Sequence, residues 1–250
     1  MKMFFGRTVV LAAVAFLAGV MQSSPALALD ELYFPAVDYG ELSLGYSGSR
    51  TIDSHAAKNN TQSHELELEA GLTQRWELGV NGDLIKDSNN SLKMSATEVK
   101  NHFQFFETGE NWLDSGALVS YHFSTQSHQP DALEVKGLLQ KDFNKITNTT
   151  NIGFSQDVGR YASSGGPDYV FLNNTRYRTN EYVQPGFEIQ SDLKQARNLG
   201  HFSQQEHYVG PALYGRLLGS LKYQVAYLVG VSDAAAQSAA RIQLEYEMHF

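Results

Sequence analysis

Cysteine is absent from the 250-residue chain, which excludes disulfides, thiol catalysis and thiolate metal sites. Long apolar runs are missing beyond the extreme N-terminus, and mean hydropathy is −0.33. A bundle of transmembrane helices, each needing roughly 20 apolar residues, is therefore excluded. Positive charge is in deficit: 19 Lys and Arg stand against 27 Asp and Glu, a formal charge of −8 that argues against a nucleic-acid partner. What the chain does have is Tyr (13), Phe (14) and Gly (21), a mixture that suits turn-rich β-structure.

The N-terminus carries an address. Lys2 and Arg7 precede the apolar stretch Val9–Met21, which is followed by Pro25 and the small-residue triplet Ala26-Leu27-Ala28. These are the parts of a secretory signal peptide spanning 1–28, with cleavage expected after Ala28. A stretch of about 13 apolar residues is too short to anchor in a bilayer. Removing it takes away two cations and no anions, so residues 29–250 carry 17 − 27 = −10.

The last ten residues alternate without a miss: Ile242, Leu244, Tyr246, Met248 and Phe250 against Arg241, Gln243, Glu245, Glu247 and His249. Period two puts the two sets on opposite faces of a strand, and ten residues is the length of a tilted strand across a bilayer. The same alternation sets Leu66, Leu68, Ala70 and Leu72 against Glu65, Glu67, Glu69 and Gly71. It recurs over 76–84, over 98–105 with Asn101 as a blemish, and over 221–231, where both faces are partly apolar. Fainter strands are expected near 38–48, 115–123, 132–140, 147–156, 169–178, 182–190 and 205–217.

Short links near 73–75, 107–111, 141–145, 179–181 and 218–219 alternate with longer ones rich in Ser, Asn, Gly and Asp. That asymmetry predicts an all-β fold: a single closed antiparallel transmembrane barrel with short periplasmic turns and longer outer loops. The 250 − 28 = 222 residues of the exported chain, shared among twelve strands, leave about 18 or 19 each, enough for a spanning strand and half of a turn-and-loop pair. Ten to fourteen strands fit the same arithmetic. A soluble sandwich or lipocalin-like barrel would bury the apolar face instead; the signal peptide, the turn asymmetry and the aromatic C-terminal residue favour the membrane barrel.

The segment Arg241–Phe250 resembles the C-terminal strand of Gram-negative outer-membrane barrels, and that resemblance implies recognition by the barrel-assembly machinery through the strand ending at Phe250. A narrower resemblance rests on Val37–Glu41, Glu98–Gly109, His207–Gly215 and Arg241–Phe250. These segments are similar to small proteobacterial outer-membrane proteins grouped loosely with the transporters named for the MetA pathway of phenol degradation. The resemblance implies passage of small molecules, aromatic ones among them, and carries no substrate motif.

If the apolar set faces lipid, the other set lines a lumen. Acidic candidates are Glu41, Glu65, Glu67, Glu69, Glu77, Asp83, Glu98, Glu245 and Glu247; basic candidates are Lys100, Lys136, Arg176, Arg178, Lys222 and Arg241. The glutamates of the first three strands and the last become neighbours on closure, so an acidic wall is expected to face a more basic one. Twelve strands fall between a filled eight-stranded barrel and an open porin, so the expected function is a narrow diffusive channel for a small solute. One alternative is a non-conducting barrel in which the charges pair and fill the bore or whose loops meet a partner. Another is a lipid hydrolase using His122 and Ser124, which are separated as H-x-S; since Val119, Tyr121 and Phe123 claim the lipid face, that pair should point inward, away from acyl chains. No covalent chemistry, cofactor or metal is expected. His55, His64, His128, His201 and His207 lack ligand spacing. The sequons ending at Thr61, Ser91, Thr150 and Thr175 are ordinary Asn- and Thr-rich turns and strands.

Overall fold

In a computed structural model the described residues are 29–88, 91–195 and 199–249; the expected signal peptide and Phe250 lie outside them. Twelve strands follow in order: β1 (Glu41–Ile52), β2 (Gln62–Thr73), β3 (Trp76–Lys86), β4 (Lys93–Gln104), β5 (Asp114–Ser124) and β6 (Asp131–Phe143), then β7 (Ile146–Val158), β8 (Asp168–Tyr177), β9 (Gln184–Gln195), β10 (Glu206–Leu217), β11 (Leu221–Gly230) and β12 (Ser238–His249). Each pairs antiparallel with its sequence neighbours, and β1 pairs with β12 from Glu41↔His249 to Ile52↔Ser238. The sheet therefore closes on itself and has no free edge.

The two faces separate as period two demands. Leu44, Leu66, Leu68, Val80, Phe103, Phe123, Ile152, Phe154, Phe187, Tyr227 and Tyr246 stand exposed on the outer wall, while Glu98, Lys100, Asn151, Glu188 and Arg241 between them are buried inside. Asn101, the blemish in β4, does face outward. The indole Nε1 of Trp76 on β3 donates to its Oδ1 at 3.2 Å, so the polar group is not left unsatisfied on an apolar wall. Asn148, Thr150, Asn173 and Thr175 also face outward, on β7 and β8. They satisfy one another, as in the donation of Asn173 Nδ2 to Thr150 Oγ1 (2.8 Å) and of Asn148 Nδ2 to Thr175 Oγ1 (2.8 Å).

The start of β1 and the end of β12 meet at the same mouth of the barrel, here called the turn end. Its links include the tight 74–75 and 144–145 turns, but 105–113 is as extended as the loops of the opposite mouth, where a short turn over 107–111 was expected. The reason is local: this link folds on its own hydrogen bonds, with Asp114 Oδ1 accepting from Gly109 N (2.6 Å) and Glu110 N donating to Glu107 O (3.0 Å). At the loop end the barrel seam is latched. Asp53, just beyond β1, accepts from the backbone of Gln237 before β12 (2.9 Å), and Lys58 Nζ donates to the carbonyl of Asp233 (2.6 Å).

The chain ahead of β1 lies inside the barrel. Gly40 N donates to Gly71 O (2.9 Å) at the turn end, and residues 38 back to 29 run up the bore. Two glycines permit this close approach: a Cβ on Gly71 would strike the Asp38 carbonyl, and one on Gly116 would stand 3.2 Å from the Pro35 carbonyl. The segment ends in an apolar nest that breaks the expectation of a polar inner face. Tyr208 and Ala212 of β10, Ala226 and Leu228 of β11 and Ala239 of β12 cluster with Leu29.

Candidate functional site

Inward-facing polar side chains hold the segment along its length. Asn151 of β7 grips the Tyr33 backbone from both sides, accepting from its N–H at 2.7 Å and donating to its carbonyl at 2.9 Å. The Tyr33 ring lies between two ammonium groups, Lys100 Nζ at 4.8 Å and Lys136 Nζ at 5.2 Å from its centroid, and Lys100 also donates to its hydroxyl (2.9 Å). Asp30 pairs with Lys136 (2.9 Å), Glu31 accepts from Gln243, and Val37 N donates to Gln104 Oε1 (2.8 Å). Around these contacts Thr149, Asn151, Asn174 and Glu188 are at most 1% exposed, so at mid-height the bore is filled.

Between that filling and the turn end lies a cavity of about 420 Å³. Its floor is residues 31–38, and its walls include Glu41, Glu67, Glu69, Glu77 and Glu245 on one side and Arg176 and Arg178 on another. The distribution of charge differs from a simple acidic wall facing a basic one. The ammonium of Lys100 is set into the acidic side, against Glu67 and 3.3 and 3.6 Å from Glu69 and Glu65. Lys222 pairs with Glu245 (3.1 Å) and Glu247, which Arg216 also holds at 2.5 Å. Arg241 reaches across the lumen to Glu188 (2.6 Å), and Lys136 holds Glu134 (3.2 Å) as well as Asp30. The reason is strand order and register, which a separate reading of each strand does not show. Lys222 stands opposite Glu245 on the adjacent strand, and Lys100 of β4 reaches Glu67 and Glu69 of β2 over Gly79 of the intervening β3.

The remaining candidates are also lumenal. Glu77 contacts His102 (3.2 Å), and Glu41 lies 3.4 Å from His249. Glu98 accepts from Asn81 (2.9 Å) and stands 3.3 Å from His122, with Asp83 and Glu134 each 3.8 Å from that imidazole. The donor atoms of Asp83, Glu98 and His122 lie within 4.8 Å of one another, the arrangement a cation would need. His122 and Ser124 both turn inward but share no hydrogen bond among the described residues. Ser124 Oγ accepts from Gln126 N (3.3 Å), and the hydroxyl beside His122 Nε2 belongs to Ser120 (3.3 Å). His122 and Ser124 therefore do not form the nucleophile–base pair that their spacing suggests. The loop-end histidines each meet a different neighbour: His55 meets Asp53, His64 stacks with Tyr46, His207 stacks with Phe202, and His128 meets Tyr161 edge-on.

Sequence reasoning missed Glu134, Glu188, Tyr214, Arg216 and the whole of 29–38 as parts of the lumen. Glu188 had a signal, because Glu188, Gln190 and Asp192 alternate with Phe187 and Ile189. Residues 29–38 have no period at all.

With this geometry the chain was compared with known proteins. No family model and no curated protein matches it. Among solved structures it is similar to the NanC porin in a rhombohedral crystal form, at 12% identity and a TM-score of 0.58, over 82% of this chain and 100% of that one. The likeness is one of closed-barrel fold.

Proposed function

We propose that the protein is a narrow outer-membrane channel for a small polar solute, exported by a cleaved leader over 1–28 and closed at rest by residues 29–38. The observation that carries this reading is a cavity of about 420 Å³ with charged walls, enclosed by a barrel whose outer wall is apolar. In this reading the turn end is periplasmic, the loop end faces the exterior, and the strand ending at Phe250 is what the barrel-assembly machinery meets. Lipid covers the outer wall because only a closed barrel satisfies every backbone group in hydrocarbon. The solute moves down its gradient, and no side chain reacts with it.

A second reading, a barrel that fills itself and does not conduct, is favoured by the solvent-inaccessible layer at mid-height. Swelling of proteoliposomes in solutes of graded size separates the two. Swelling with a sharp size limit below that of a disaccharide supports the channel; swelling no faster than protein-free vesicles supports the filled barrel.

A further inference from the structure

Every cation on the inner wall but one has an acidic partner among the described residues. Lys100, Lys136, Lys194, Arg216, Lys222 and Arg241 all lie within ion-pair distance of a carboxylate. Arg176 of β8 does not. Its guanidinium stacks on Phe34 of the lumenal segment, 4.7 Å from the ring centroid, and stands 5.9 Å from that of Tyr214. Its Nε is buried with no acceptor. Arginine forks of this kind match carboxylates, and leaving the buried Nε–H unmatched is costly.

Two further buried polar atoms without hydrogen-bond partners belong to residues lining the same cavity, His102 Nε2 and Gln224 Oε1. Unsatisfied polar atoms thus stand in this cavity beside charged walls of both signs. The topology sets their charges apart. In the ring of twelve, β2 with Glu67 and Glu69 lies six strands from β8, diametrically across from Arg176. A purely anionic guest would meet Glu31, Glu41, Glu69, Glu77 and Glu245 on the walls, and a purely cationic one would leave Arg176 unmatched.

We propose that this cavity binds a small zwitterion, its carboxylate on Arg176 and its ammonium toward Glu69 and Glu77, with Phe34 flooring the anionic end. The solute class of the channel is then amino-acid-like or short-peptide-like. This rests on the channel reading for its physiological meaning, while binding itself does not require conduction.

Isothermal titration of the detergent-folded protein with three probes tests it: glycylglycine, its N-acetylated form, which keeps only the negative end, and glycylglycinamide, which keeps only the positive one. Glycylglycine is expected to bind at least tenfold more tightly than either. Arg176→Gln is expected to lose at least tenfold in glycylglycine affinity, with the heat-dependent gel mobility of the folded barrel unchanged. Should that variant not fold, Glu77→Gln serves, weakening glycylglycine and leaving the N-acetylated probe no weaker than before. Equal binding of a singly charged probe, unchanged affinity in either folded variant, or no binding of glycylglycine overturns the site. Conductance is recorded separately: a silent barrel that binds glycylglycine removes the channel reading and keeps the site, and a conducting barrel that ignores it does the reverse.

Discussion

Asn151, which no sequence pattern singles out, holds the lumenal segment by its backbone. Its amide closes a two-bond ring with the Tyr33 backbone, and Asn151 itself is fully buried. Truncating it leaves the Tyr33 N–H and carbonyl without their partner, at a cost of about 1–3 kcal/mol. Asn151→Ala is accordingly expected to make openings of a reconstituted channel roughly ten times more frequent; unchanged opening would mean that the ring does not hold the segment. On the outer wall, Trp76→Phe should cost about 1–3 kcal/mol in urea-driven unfolding by orphaning Asn101 on an apolar surface, and the added change Asn101→Leu should restore it. At this scale the sequence was partly legible. It showed which side of each strand Glu65, Lys100 or His122 occupies, because period two decides that alone. It could not show that Lys100 sits against Glu67 and near Glu69, since that depends on strand order and register.

Among the elements, the strands were the most readable. Apolar alternation located all twelve, and errors fall where the pattern is interrupted rather than where it is faint. The link 105–113 looked like a tight turn because Glu107–Asn111 is compact in sequence; its internal hydrogen bonds keep a longer excursion ordered. Residues 29–38 were illegible for a different reason. A segment wrapped on all sides by barrel wall has no solvent face, so no period is imposed on it. The loop-end latch carries its own prediction. Asp53 accepts the backbone N–H groups of His55 (2.6 Å) and Gln237 (2.9 Å), and these bonds hold its carboxyl below the ordinary value of 3.8. A depressed folded-state pKa means the latch contributes fully above pH 3.8 and is lost as pH falls through the lower folded value. Amide exchange at Gln237, corrected for its intrinsic pH dependence, should therefore stay protected from pH 7 down to pH 4 and open only at still lower pH. In Asp53→Asn the protection should be weak at every pH. Equal protection in the two proteins at pH 7 would rule the latch out.

For the molecule as a whole, closure of the sheet and filling of its bore are separate achievements. Pairing of β1 with β12 removes the edges, whereas struts such as Arg241 to Glu188, which joins strands three apart in the ring, cross the interior. Removing the arginine leaves a buried carboxylate without its ion pair, with Tyr214 and Gln190 as donors, so Arg241→Met should lower stability by about 3 kcal/mol in urea unfolding, and Arg241→Met with Glu188→Leu should recover most of it. The bore itself is closed by the chain's own N-terminal segment together with these struts. The most direct test is planar-bilayer recording of the intact barrel beside one lacking residues 29–38, each shown to be folded by its heat-dependent gel mobility. The account predicts brief, infrequent openings for the intact protein and steady stepwise conductance once the segment is gone. Two traces that cannot be told apart, both silent or both open, would contradict it.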